Sequence, residues 1–152
     1  MVLSRLRELI TPKSATPKAP SPALATALLL IELAAADFDS ADVELARVAE
    51  LLGEQFGLDG AALDALIDEA RRRARASVSL HDYVATLHQS LDAAGKRRLI
   101  AMLWQVAVAD GRVDKYEEHL LRRLVDLLYI PMADYVQARE DALAAVRADA
   151  RG

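Results

Sequence analysis

The sequence contains no cysteine. That absence removes disulfides, thiolate metal sites and thiol nucleophiles together, and it fits a reducing compartment. No charge of one sign dominates: 19 basic and 23 acidic residues are interspersed and leave a net charge of −4. A dedicated nucleic-acid binder carries a basic surplus on one face, so this balance argues against such a partner. No apolar run is long enough to span a bilayer, since the stretch from Ala23 to Ala36 is short and broken by Glu32. The opening MVLSRLRELI lacks the long apolar core and small-residue cleavage site of a secretory signal. Aromatic residues are scarce, and the single tryptophan, Trp104, lies in an apolar helical run where core packing is its expected role.

Catalytic signatures are missing as well. There is no G-x-S-x-G, P-loop, G-x-G-x-x-G or H-E-x-x-H. His81, His88 and His119 have no zinc-type spacing and read as surface or half-buried helix residues. Ser77, Ser79 and Ser90 lie near two of them in sequence, but serines beside histidines on helices do not make a triad. The dense basic run RRRAR at 71–75 ends a predicted helix, where cations favour the dipole, and reads as a solvated face.

What is present is helical periodicity. The length of 152 residues suits one domain, large enough to bury roughly 70% of its unfolded surface without a metal or disulfide. Leu3, Leu6, Leu9 and Ile10 give residues 1–10 the spacing of a short amphipathic helix. Residues 11–23 hold four of the five prolines and read as a linker. Residues 24–150 form the predicted domain. Apolar residues recur there with a 3.6-residue period, which predicts seven helices at about 23–37, 40–54, 60–76, 80–91, 93–109, 115–129 and 132–149. Asp39, Asp59, Ser79, Asp92 and Asp114 each precede such a run and are candidate N-caps. No strand is expected. Helices 23–37 and 93–109 are apolar on most sides and should be central.

The chain repeats itself. ALLLIELAAAD (27–37) lies over IAMLWQVAVAD (100–110), and Leu30, Ala34, Ala36 and Asp37 match Leu103, Ala107, Ala109 and Asp110 at an offset of 73. Beyond the bend, identities favour an offset of 75. Asp39 then meets Asp114, Asp42 meets Glu117, Leu45 meets Leu120, Arg47 meets Arg122 and Leu52 meets Leu127. Each half is thus a helix, an acidic bend and a helix, the first bend two residues shorter, and two such halves suggest a pseudo-twofold arrangement.

The acids of these bends have more than one use. Asp114 with Glu117, and Asp39 with Asp42, have capping-box spacing, and carboxylates in a first turn suit the helix dipole. Asp37 and Asp110 fall at the predicted ends of the preceding helices, where negative charge is disfavoured. They call for a positive partner: an arginine such as Arg47, Arg112 or Arg122, or a hard cation bound by carboxylates and free helix-end carbonyls. Asp110, Asp114 and Glu117 could close on one ion around Gly111. The spacing is not that of an EF-hand loop.

The segment LIAMLWQVAVADGRVDKYEEHLLRRLVDLLYIP resembles the signature of TerB-like proteins, the bacterial tellurite-resistance TerB family, and ALLLIELAAADFDSADVELARVAELLGEQFGL resembles the first copy of the same element. The resemblance spans about residues 24 to 140. It implies an all-α TerB-like bundle of about seven helices in two pseudo-symmetric halves. It also implies a non-catalytic module that binds a divalent cation, calcium being the first choice, and that interacts with proteins in a stress or tellurite-resistance setting. The matching acids are Asp110, Asp114 and Glu117, with Asp37, Asp39 and Asp42 in the first copy, where Phe38 replaces the glycine. The implied partners are proteins, membrane-associated complexes among them, and the implied location is the cytoplasm, with peripheral attachment at the inner membrane as a variant. The rival expectation is a purely structural interaction domain whose acids cap helices and pair with arginine.

Overall fold

The computed structural model describes residues 21–36, 41–76 and 80–151. The predicted helix at 1–10, most of the linker, Asp37, Asp39 and Ser79 lie outside them. The described chain is all-helical, with no strand: α1 (Pro22–Ala35), α2 (Ala41–Phe56), α3 (Gly60–Arg75), α4 (Leu80–Ser90), α5 (Ala93–Ala107), α6 (Lys115–Leu127) and α7 (Met132–Arg151). Each boundary falls within about two residues of its predicted place.

The local chemistry explains the starts and stops. Ser21 and Pro22, assigned to the linker from sequence, instead open α1. The Ser21 hydroxyl accepts the Leu24 N–H at 3.1 Å, and Pro22 sits in the first turn, where its missing donor is harmless. Asp92 caps α5 by accepting the Gly95 N–H at 2.7 Å. Asp59 occupies the cap position of α3, but its side chain makes no capping bond. Helices α2 and α6 end in the same motif. Leu58 N–H donates to the Gly53 carbonyl and Ile130 N–H to the Val125 carbonyl, both at 3.0 Å, over a left-handed residue. That residue is Gly57 in the first half and Tyr129, at φ 56°, in the second.

Helix α1 is buried almost all round, from Leu24 through Ala34, and packs against α2, α3, α4, α5 and α6. A helix without a polar face has to be surrounded. Helix α5 is the second hub: Leu99, Ile100, Met102, Leu103, Trp104, Val106 and Ala107 are buried, and it packs against α1, α2, α6 and α7. The contacts are reciprocal. Within each half the hub holds the two helices that follow its bend, α2 and α3 on α1, α6 and α7 on α5. Across the halves α2 leans on α5 while α6 leans on α1. That exchange is what a pseudo-twofold relation produces.

The RRRAR run behaves as a helix end. Arg71, Arg72 and Arg75 are exposed, Glu69 pairs with Arg72 and with Arg73 (2.8 Å), and Arg73 reaches the Tyr83 hydroxyl at 3.3 Å, tying α3 to α4. His81, His88 and His119 are all exposed.

Helix α7 is held to α5 by an aromatic contact. Tyr135 meets Trp104 edge-on at 5.4 Å, and the Arg139 guanidinium lies 5.9 Å from the indole centre. The Tyr135 hydroxyl is buried with no hydrogen-bond partner. Burial, reinforced by the nearby Glu118, pushes its pKa above the usual 10.0. A buried hydroxyl that bonds to nothing costs about 1–3 kcal/mol, so Tyr135→Phe is expected to melt no lower than the parent at neutral pH. A raised pKa means the folded state favours the neutral phenol. This contribution is complete below about pH 10 and lost as pH climbs through the raised folded value. Alkaline melting curves should therefore fall more steeply for the parent than for Tyr135→Phe.

Candidate functional site

The corner between α5 and α6 is built by a loosening of α5. Val108 N–H still bonds to the Trp104 carbonyl, but Ala109 N–H turns to Val106 and Gly111 N–H to Val108. Gly111 takes φ 86°, which a side chain disfavours. Asp110 thus lies three residues beyond the last residue of α5, rather than at the helix end that the sequence suggested. Its Oδ1 accepts the Arg112 N–H at 3.0 Å, a local turn. At that position the negative end of the α5 dipole bears only weakly on Asp110.

Asp114 is the N-cap of α6. Its Oδ2 accepts the N–H of Tyr116 at 2.9 Å and of Glu117 at 3.3 Å. The capping role expected of it holds, and one carboxylate oxygen is committed to it. Glu117, three residues on, is 0% exposed. A cap or a dipole partner has no need to be buried, so capping alone does not account for Glu117.

In the first half Asp37 and Asp39 lie outside the described residues. Asp42 is described and exposed, so it does not occupy the place that Glu117 fills in the second half. That place belongs to Glu44, also 0% exposed. Glu44 precedes Glu117 by 73 residues, the same offset that relates Asp37 to Asp110. The buried positions that follow keep that offset: Val48, Leu51 and Leu52 correspond to Leu121, Leu124 and Val125. The two-residue gap inferred from identities is corrected here. From Asp37 to Leu52 the first half aligns with the second without a gap, the offset falling to 72 only at the helix ends, and each half carries an aspartate followed seven residues later by a buried glutamate.

The arginines named as counter-charges go elsewhere or stay in solvent. Arg47 binds Glu50 at 2.6 Å and Gln105 at 2.8 Å, bracing α2 against α5, while Arg112 and Arg122 are exposed.

The family model described as Tellurite resistance protein TerB matches residues 23–140. The chain belongs to the TerB family. Neither a curated protein nor a solved structure matches it. The all-helical repeat is therefore a TerB domain, and its acidic corners fall inside the matched region. No helix among the described residues is long and apolar enough to cross a membrane.

Two points bear on how this TerB domain suits a cation. The donor chemistry is right, since hard divalent ions take carboxylate and backbone carbonyl oxygens. The arrangement is incomplete, since the described residues bring no three acidic or imidazole side chains together as a ligand group. Asp110, Asp114 and Glu117 belong to one corner but do not make such a group of three, and Glu44 is the residue that sequence reasoning missed.

Proposed function

We propose that this TerB domain is a non-catalytic module that takes up a divalent cation at its acidic corners and acts through protein partners in the tellurite-resistance response. The observation that supports this reading is the pair Glu44 and Glu117, each fully removed from water at the same place in its repeat. Carboxylate oxygens at matching places beside the two acidic corners are the donor type a hard divalent ion takes, with Asp110 and Asp114 in one half and Asp37 and Asp39 in the other. Calcium suits an irregular corner better than magnesium, which demands near-ideal octahedral geometry. The expected setting is the cytoplasm, with membrane-associated proteins among the partners.

The test is a melting titration with calcium and, separately, magnesium. A specific ion stabilises by about 2.7 kcal/mol at a hundredfold excess over its dissociation constant, which for a domain of this size raises the midpoint by roughly 5–10 °C. Glu117→Gln should lose most of that response, and exposed Asp42→Asn should keep it. A midpoint indifferent to both ions would sink the proposal. The second reading, a scaffold whose acids only cap and pair, would then stand; the two cap bonds of Asp114 already favour it at that residue.

A further inference from the structure

Helices α2 and α7 pack on α5 from either side, and between them runs an open groove of about 970 Å³. Its floor and inner walls are small and apolar, with Ala101, Val108, Ala138 and Ala142 among them, and Val43 stands half-exposed at its rim. Four acids line it, Glu50, Asp110, Asp141 and Asp149, against one base, Arg47. That base is already engaged by Glu50 and Gln105. The groove is therefore apolar at the bottom and negative at the edges, the complement of a basic amphipathic segment.

The chain supplies one. Residues 1–20 carry Arg5, Arg7, Lys13 and Lys18 against a single acid, Glu8, and place Leu3, Leu6, Leu9 and Ile10 at helical spacing. The linker exceeds the length of the first helix: α1, 14 residues long, spans about 21 Å from Pro22 to Ala35. A proline-rich stretch of the length between Ile10 and Ser21 covers roughly 34 Å at about 3.1 Å per residue. We infer that residues 1–10 dock in the groove between α2 and α7, leucines on the alanine floor and arginines toward Asp141 and Asp149. The groove is then filled by the chain's own N-terminal segment. This assignment does not depend on a cation at the corners.

The absence of cysteine makes the test clean, because a nitroxide on Ser4→Cys labels the 152-residue chain at one position only. Amide signals of Val43–Glu50 and Ala138–Asp149 should lose most of their intensity, while those of Asp64 and Asp82, outside the groove, keep theirs. Reversing the exposed acids with Asp141→Lys and Asp149→Lys should restore the lost intensity without unfolding the domain, and so should Arg5→Glu with Arg7→Glu. Combining the two reversals should bring the loss back. Uniform broadening, broadening centred elsewhere, or indifference to both reversals would overturn the assignment. So would broadening seen only in mixtures, from a labelled chain onto an isotope-labelled second chain, which would give the groove to another copy.

Discussion

Leu52→Ala is expected to cost about 2–5 kcal/mol, the range for a buried leucine that leaves a cavity, whereas Leu127→Ala should cost less than about 1 kcal/mol. The two leucines are partners when the repeats are matched by identity with a two-residue gap. They are not partners in the fold: Leu52 is 0% exposed and Leu127 is 36% exposed. The residue that shares Leu52's place is Val125, buried on the inner face of α6. Val125→Ala should therefore behave like Leu52→Ala and cost about 2 kcal/mol for the lost carbons and the space they leave. Urea unfolding of the three variants decides the register. Equal losses at Leu52 and Leu127 would restore the gapped alignment and would remove the equivalence of Glu44 with Glu117.

The helices were legible because their signal is periodic and repeated. Where α1 shows no polar face, burial on all sides follows from the letters alone, and the hub was found where it was expected. Caps were legible where an aspartate directly precedes an apolar-periodic run, as at Asp92 and Asp114, although Asp59 holds that position without the bond. They were missed where a residue belonged to a stretch read as something else, as Ser21 did at the end of a proline-rich linker. The register failed for a specific reason. Identity gives the surface pair Arg47 and Arg122 the same weight as an inward one, although surface positions drift without energetic cost while inward ones are held by packing. Glu44 was hidden by the same habit, since a glutamate inside an amphipathic helix looks like part of a solvated face. Its pairing with Glu117 at the offset already established for Asp37 and Asp110 was the one available signal. The groove left no trace in the sequence, because it depends on α7 returning to lie on α5 opposite α2.

Trp104→Ala is expected to be the most damaging single substitution in the second half. The indole is completely buried in the hub α5 and is the largest side chain in the core. Truncating such a residue costs about 3–5 kcal/mol, a fall of roughly 6–20 °C in midpoint for a domain of this size. Trp104→Phe keeps an aromatic face for Tyr135 and should lose much less. The damage should also be directional. Helix α7 buries Tyr135, Ala138 and Ala142 and packs Leu143 and Val146 partly against the core, so in its first half the anchorage runs through the Tyr135–Trp104 contact and the Arg139 guanidinium near the indole. Helix α1 is gripped by five neighbours and depends on no single one. Amide hydrogen exchange in Trp104→Ala should therefore show α7 losing protection well before α1, because local opening follows the helix with the fewest buried apolar contacts. Protection lost equally from α1 and α7 would mean that the indole supports the core as a whole and that α7 is held by its backbone fit to α5. Protection lost from α7 first identifies Trp104 as the anchor of one wall of the groove, and links the packing of the second hub to whatever occupies the channel between α2 and α7.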